Sequence, residues 1–337
     1  MDRRIADGVT NRMWVALIGL LVAGCATSPT LSPAPTVAPS RTVAPSRTSV
    51  PAGTPTKPPT ATVAPSVSST APPTATAVPS PTRPAPEATP TVAARVVAIT
   101  ILYDNNEYDE RLATAWGFSC LVEGLDETIL FDTGGDGALL LSNMRTLAVD
   151  PEDVDDVVIS HVHGDHVDGL SGFLRENYEV TVYLPQSFPA SIKGSTRDAG
   201  ADVVEVHGPV EICARVSSTG ELGSWIKEQS LMIETSQGLV VITGCAHPGI
   251  VDIVRQAKEL TDQEIYLVTG GFHLGGASEA EIAAIVADFQ QLGVRKVAPC
   301  HCSGNVALRL FKEAYGEDFI RAGAGGTIEI RDQEAGG

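Results

Sequence analysis

The sequence predicts an α/β domain in which two β-sheets pack face to face with helices on the outside. Three observations predict it. Apolar, β-branched runs of strand length recur from residue 96 almost to the end of the chain. The early runs follow one another closely, whereas the later ones alternate with stretches of helical periodicity. Histidine-bearing, glycine-rich loops follow several of the runs, at the strand ends where α/β folds place their sites.

The chain starts with a targeting signal. Arg3, Arg4 and Arg12 make a basic start, and Met13 to Ala23 is apolar but too short to span a bilayer comfortably. The run ends in Leu21-Val22-Ala23-Gly24-Cys25, which resembles a bacterial lipobox, so residues 1–25 read as a lipoprotein signal peptide. Cleavage before Cys25 would leave a cysteine for acylation, and acyl chains hold a protein to a membrane by burying methylenes. An ordinary signal peptide with an incidental Cys25 is the plainer alternative. The expected location is the extracytoplasmic side of a membrane.

Residues 26–94 hold 17 of the chain's 23 prolines, among Thr, Ser, Ala and Val. The hexapeptide from Val37 to Thr42 is repeated from Val43 to Thr48. Such a segment cannot build a core and reads as a disordered, semi-rigid spacer. Charge divides along the same line. Residues 1–95 carry 8 basic and 3 acidic side chains, net +5, and residues 96–337 carry 15 and 38, net −23. So acidic a domain repels nucleic acid, leaving a small molecule as the expected partner, with the membrane met only through Cys25. Beyond Cys25 there are five cysteines, an odd number that does not suggest a disulfide framework.

Within residues 95–333 the elements follow in order. Val96 to Tyr103 alternates as a first strand, and Ser119–Val122 with Thr128–Phe131 reads as a hairpin. Gly137–Leu147 is helical, Asp156–Ser160 is a strand, and Val167–Asn177 is expected to form one helix with Asp168 in its first turn. Val180–Leu184 is extended and Ala190–Ala199 helical. Asp202–Val206, Glu211–Val216, Leu231–Glu234, Leu239–Thr243, Ile265–Thr269, Lys296–Ala298 and Thr327–Arg331 are further strands. Gly249–Leu260, Glu279–Leu292 and Val306–Tyr315 have helical periodicity.

The chemistry concentrates in His161-Val162-His163-Gly164-Asp165-His166, directly after a strand. Imidazole and carboxylate suit zinc, iron or manganese. Four ligands so close cannot all serve one tetrahedral ion, so two ions are expected, with His161 and His163 on one and Asp165 and His166 on the other. A solvated loop that happens to be rich in histidine is the plain alternative.

This run, together with Thr128 to Gly135 upstream and Gly238 to Ile250, Gly270 to Leu274 and Pro299 to Gly304 downstream, resembles the metallo-β-lactamase superfamily. Within it the order of motifs looks like the branch of proteins named 7,8-dihydropterin-6-methyl-4-(β-D-ribofuranosyl)-aminobenzene-5′-phosphate synthase. The resemblance implies a four-layer αββα sandwich with metals at one edge. It implies later metal ligands at His247 and His301, and at Asp132 a carboxylate that steadies the histidine loop. It departs from the pattern in two places. Cys245 stands about where a bridging Asp is usual, as either a soft ligand or a small buried residue, and Cys300 lies equally near a ligand. The usual third histidine of the first ion has no clear counterpart. His247 could do that work, or Glu228, for which a solvated strand-edge position is the plainer reading. His273 follows two glycines and could bind metal, act as an acid or contact substrate. His207 reads as structural or superficial.

The resemblance implies a hydrolase in which two ions, zinc foremost, share a hydroxide that attacks an ester, lactone, thioester or phosphoester, with Asp165 or His273 moving protons. A pterin-phosphate synthase-like transferase and a non-catalytic, metal- or ligand-binding lipoprotein domain are the alternatives. The anchor is directly testable. Cys25→Ser should release the protein from the membrane fraction, and a variant that stays there while the wild type carries no acyl group would remove the lipoprotein assignment.

Overall fold

The structure, a computed structural model, describes residues 95–332. The signal segment with Cys25, the 26–94 spacer and the last residue of the expected 95–333 domain lie outside the described residues.

Among these residues the strands are β1 (Arg95–Tyr103), β2 (Ser119–Glu123), β3 (Ile129–Phe131), β4 (Asp156–Val158), β5 (Thr181–Pro185), β6 (Asp202–Val206) and β7 (Val210–Cys213). They continue with β8 (Val216–Ser218), β9 (Leu231–Thr235), β10 (Gly238–Thr243), β11 (Ile265–Gly271), β12 (Lys296–Cys300) and β13 (Thr327–Asp332). The helices are α1 (Gly137–Thr146), α2 (Gly164–Val167), α3 (Leu170–Phe173), α4 (Ala190–Asp198), α5 (Ile250–Thr261), α6 (Glu279–Gln291) and α7 (Asn305–Tyr315). One sheet has seven strands in the order β13-β1-β2-β3-β4-β5-β6, and the other has six in the order β12-β11-β10-β9-β8-β7. No helix among the described residues is long and apolar enough to cross a membrane.

Strand periodicity makes the four layers. Side chains alternate faces along a strand, so a strand buried on both sides feeds two cores. In β10, Val240 and Ile242 join the core between the sheets, while Leu239 and Val241 point to the core under α5–α7. In β4, Val158 faces the other sheet, while Val157, with Ile159 just beyond, packs beneath α1–α4. The outer helices start where side chains can satisfy free N–H groups. Asp136 caps α1, and Ser278 with Glu281 forms a capping box on α6.

Two expected elements divide. The helix over 167–177 is instead α2 and α3, with Asp168 ending the first. The carbonyls that a continuous helix would use are taken. Asp165 O accepts the Phe118 N–H at 3.2 Å, His166 O accepts the Thr133 N–H at 2.8 Å, and the Gly169 N–H turns to Gly134 O at 3.0 Å. The expected strand over 211–216 is the β7–β8 hairpin, turned by Arg215 at a left-handed φ of 69°.

Parallel pairing of β3 with β4 and of β10 with β11 and β12 brings the C-terminal ends of these strands, and the histidine loops after them, to one edge. Gly169 sets how closely the first loop can dock, because a Cβ there would lie 2.0 Å from Thr133 O. Gly169→Ala should therefore lower the unfolding free energy by about 1–3 kcal/mol through overpacking. Urea denaturation reads this, and an unchanged midpoint would mean that the loops separate freely.

Candidate metal centre

The ligand candidates lie in α2 and in the loops that follow strands, and His161, His166 and His301 are each steadied by a second residue. Asp132 follows β3 at a left-handed φ of 57°. Its carboxylate, fully buried, accepts the Ser160 N–H and the Ser160 Oγ–H, both at 2.7 Å, and lies 2.7 Å from His166 Nδ1. Ser160 Oγ lies 2.9 Å from His161 Nδ1. On the far side, His301 Nδ1 is 2.9 Å from Asn105 Oδ1, and the His301 N–H donates to Asp104. With a carboxylate, a hydroxyl and an amide oxygen as their outer partners, His166, His161 and His301 carry the hydrogen on Nδ1 and turn Nε2 inward.

The inward nitrogens form two sets. His163 Nδ1 is 3.1 Å from both His161 Nε2 and His247 Nε2. Such lone pairs turned on one another are what a shared cation would relieve. In the second set Asp165 Oδ2 lies 3.6 Å from His166 Nε2 and 3.4 Å from His301 Nε2. His301 Nε2 is buried with no hydrogen-bond partner. Cys245 Sγ, 3.3 Å from His166 Nε2, belongs with both sets: its sulfur lies within 4.8 Å of the ligand atoms of Asp165, His166 and His301, and likewise of those of His161 and His247. An orphaned buried imidazole nitrogen, facing imidazoles, a carboxylate and a thiol fit divalent cations, and these donors suit zinc.

The electrostatics agree. Burial, then the surrounding imidazoles, pushes the His161 pKa far down, and the same causes bring His247 down to about 4. Both are therefore neutral, with free lone pairs, at physiological pH. Burial works against the charged form of His166, but Asp132 outweighs it and raises its pKa. Partial burial opposes ionisation of Asp165, yet His301 and His166 hold its carboxyl down to about 2.

The structure brings together the sequence-predicted residues His161, His163, Asp165, His166, His247 and His301, with Asp132 behind them. It places His247 with His161 and His163, in the position of the missing third histidine. Cys245 stands between the sets, as its place in the sequence suggested. One reading needs correction. Glu228 is neither a solvated edge residue nor a member of either donor set. It is fully buried, and its carboxylate collects the N–H groups of Gly244, Cys245, Ala246 and His247 at 2.8–3.1 Å. Burial pushes its pKa up to about 6 even so. Cys300 packs between the sheets as a small buried residue, while Cys302 lies with Cys245 and His273 at the side of the centre. His273 is exposed at a left-handed φ of 55°, with its backbone N–H 3.3 Å from Cys302 Sγ, its ring 4.3 Å from that of His247, and a ring nitrogen within 4.8 Å of the sulfurs of Cys245 and Cys302. The Cys302 sulfur beside its ring raises its pKa. His207 is superficial, as expected, 3.6 Å from Glu221. The five described cysteines are all free.

Sequence reasoning missed Asp104, Asn105, Ser160 and Gln229. Polar residues directly after strands signalled the first three. Gln229 gives no local sign: its side chain donates to Ile159 O at 2.8 Å and Tyr183 O at 3.0 Å, across to the other sheet.

A family model described as the metallo-beta-lactamase superfamily matches residues 117–256. An uncharacterized protein of Methanocaldococcus jannaschii is 31% identical over 69% of this chain and all of its own length. A second protein of that organism, named 7,8-dihydropterin-6-methyl-4-(beta-D-ribofuranosyl)-aminobenzene-5′-phosphate synthase, is 29% identical over 68% of this chain and 95% of its own. The crystal structure of Tm1679, described as a metal-dependent hydrolase of the beta-lactamase superfamily, superposes with a TM-score of 0.59 at 29% identity, covering 70% of this chain and 100% of that one.

The steadying contacts make their own prediction. Asp132→Asn weakens the acceptor for His166, and Glu228→Gln turns an amide NH2 toward backbone N–H groups. Each should lower divalent metal affinity by roughly 10–100-fold, the usual size of such losses, read by chelator competition. Wild-type affinity in both variants would mean the ligand loops hold themselves.

Proposed function

Because the chain belongs to the metallo-β-lactamase superfamily, we propose that it is a metal-dependent hydrolase whose inward-facing donors, with Cys245 among them, would hold two divalent cations, zinc foremost. The observation that carries this reading is the pair of donor sets turned inward on one another, with His301 Nε2 buried and making no hydrogen bond. His161, His163 and His247 would hold one cation, and Asp165, His166 and His301 the other. Manganese and iron suit the nitrogen and oxygen donors as well, but a sulfur between the sets favours zinc.

When bound, such ions lower the pKa of water and polarise a carbonyl or phosphoryl oxygen. The chain's residues orient and protonate. Asp132, Asn105 and Ser160 keep the imidazole lone pairs aimed inward. Asp165 stays ionised at neutral pH and can accept a proton at its partly exposed carboxylate. His273, at the mouth and hydrogen-bonded to Cys302, can deliver a proton to a leaving oxygen, nitrogen or sulfur. The substrate class is a small-molecule ester, lactone, thioester or phosphoester, since the acidic domain disfavours nucleic acid. Export and anchoring through Cys25 belong to the same proposal.

A second reading, transfer chemistry on a pterin phosphate, is favoured by the name of one Methanocaldococcus relative. It would use the same donors but would need a second substrate for turnover. A non-catalytic metal-binding domain would hold its ions with every coordination position closed.

His163→Ala and His301→Ala should each lose bound metal by elemental analysis and lose turnover in a screen of lactones, thioesters and phosphodiesters. His273→Ala should keep its metal and lose turnover. Two metal equivalents retained in both ligand variants would remove the dinuclear reading, and metal-replete wild type inert to the whole screen would remove the hydrolase.

A further inference from the structure

The described cysteines do not share one environment. Cys120, Cys213 and Cys300 pack in the core between the sheets, whereas Cys245 and Cys302 are buried yet belong to none of the three apolar cores of the described residues. A buried thiol ordinarily serves as a small hydrophobe. These two sit instead among polar groups and beside one another. Their sulfurs and a ring nitrogen of His273 all lie within 4.8 Å of one another. The Cys302 Sγ–H donates to Cys245 O at 3.6 Å, and the two thiols are hydrogen-bond partners. The backbone N–H of the exposed His273 lies 3.3 Å from Cys302 Sγ.

The fold arranges this meeting. Cys245 follows β10 and Cys302 follows β12, and β11 runs between those two strands. The sulfurs approach over the end of β11 because that strand finishes in Gly271, where a Cβ would lie 2.7 Å from Cys302 Sγ. Backbone groups hold both loops in place. The Gly271 N–H donates to Gly244 O at 3.0 Å, and the Gly275 N–H donates to Cys302 O at 3.2 Å. On its other side the Cys245 sulfur lies 3.3 Å from His166 Nε2. One sulfur thus stands between the donors of the centre and a second thiol.

We propose that Cys245 and Cys302 are an oxidation site: a peroxide joins them as a disulfide, which withdraws the Cys245 sulfur from the metal centre. The proposal rests on the metal-centre reading and adds its regulation. The Cys302 sulfur attacks one peroxide oxygen. An S–O bond forms, the O–O bond breaks, and one water leaves with the Cys302 thiol hydrogen, giving a sulfenic acid. The Cys245 sulfur then attacks the Cys302 sulfur. An S–S bond forms, the S–O bond breaks, and a second water leaves with the Cys245 thiol hydrogen. The two thiols lose two electrons and the peroxide is reduced to two waters. Closing the bond turns Cys245 Sγ toward Cys302 and away from His166. A cation held by Cys245 opposes the reaction, so bound metal protects the pair and its loss opens the pair to oxidation.

The test uses the full chain, stripped of metal by a chelator, treated with hydrogen peroxide and digested with trypsin without reductant. Peptides 228–255 and 297–309 should appear linked, lighter than their sum by two hydrogens. Because 297–309 also contains Cys300, Cys302→Ala should lose the link and Cys300→Ala should keep it. Oxidation should lower zinc affinity by roughly 10-fold or more, the least that loss of a group from a metal site costs, read by chelator competition and restored by a thiol reductant. The zinc-loaded chain should form no link under the same treatment. Cys302→Ala should keep wild-type zinc content and affinity, before peroxide and after it. A link that leaves zinc affinity unchanged, a sulfinic acid at Cys302 with no link, or a link that persists in Cys302→Ala would overturn the proposal. So would a zinc equivalent lost from reduced Cys302→Ala, since Cys302 would then be a ligand. A reduced wild type that binds no zinc yet forms the link would remove the metal centre and leave the disulfide. Full zinc content with no link would do the reverse.

Discussion

The centre depends on two adjacent buried side chains, Glu228 and Gln229, that reach in opposite directions. Glu228 gathers four consecutive N–H groups of the loop carrying Cys245 and His247. Gln229 donates to the carbonyls of Ile159 and Tyr183, and its own N–H donates to Ser160 O at 2.9 Å, beside His161. One peptide unit thereby ties the first histidine loop, on one sheet, to the second, on the other. Burying a carboxylate is unfavourable unless its hydrogen bonds are made, and here the backbone makes them. The ligand loops cannot move apart without exposing these groups unpaired, which costs more than the hydrogen bonds contribute when formed.

That tie allows the two donor sets to share a centre. Four imidazole rings, of His161, His163, His166 and His247, crowd within centroid distances of 4.2–4.8 Å. Charged, they would repel, and burial holds His161 and His247 neutral. Outer partners of opposite polarity complete the arrangement. Asp132 sets His166, Ser160 sets His161, and Asn105 sets His301, so each presents the lone pair that a cation needs. Close glycines admit the loops to one another. A Cβ on Gly244 would lie 2.1 Å from Ser160 Oγ, and one on Gly271 would lie 2.4 Å from Gly244 O. Around the rim, His273, Trp116 and Trp225 stand in solvent, while His161, His166 and His301 beneath are buried.

Much of this was legible in the chain. Apolar alternation foretold nearly every strand, because a strand buried on both faces must be apolar throughout. That His161, His163, Asp165, His166, His247 and His301 belong to one cluster was legible because their residue types and their places after strands carry the signal. The elements that escaped were settled by distant partners. The 167–177 helix broke near its start because Phe118 and Thr133, far back in the sequence, claim the Asp165 and His166 carbonyls and Gly134 takes the Gly169 N–H. Cys300 and Cys302 differ by two positions, yet β12 ends with Cys300 in the core and the turn through His301, at a left-handed φ of 47°, carries Cys302 beside Cys245 and His273.

The sequence by itself determined the order of strands and helices, the α/β class and the ligand types, since these follow from local periodicity and side-chain chemistry. Only the tertiary structure decided the rest. It assigned His247 to the set of His161 and His163, converted Glu228 from an apparent surface acid into a buried clamp, and left Trp116 and Trp225 in water. The physical reason is common to all three. Which atoms a side chain meets depends on loops brought together from opposite sheets, and no window of neighbouring residues contains that distance.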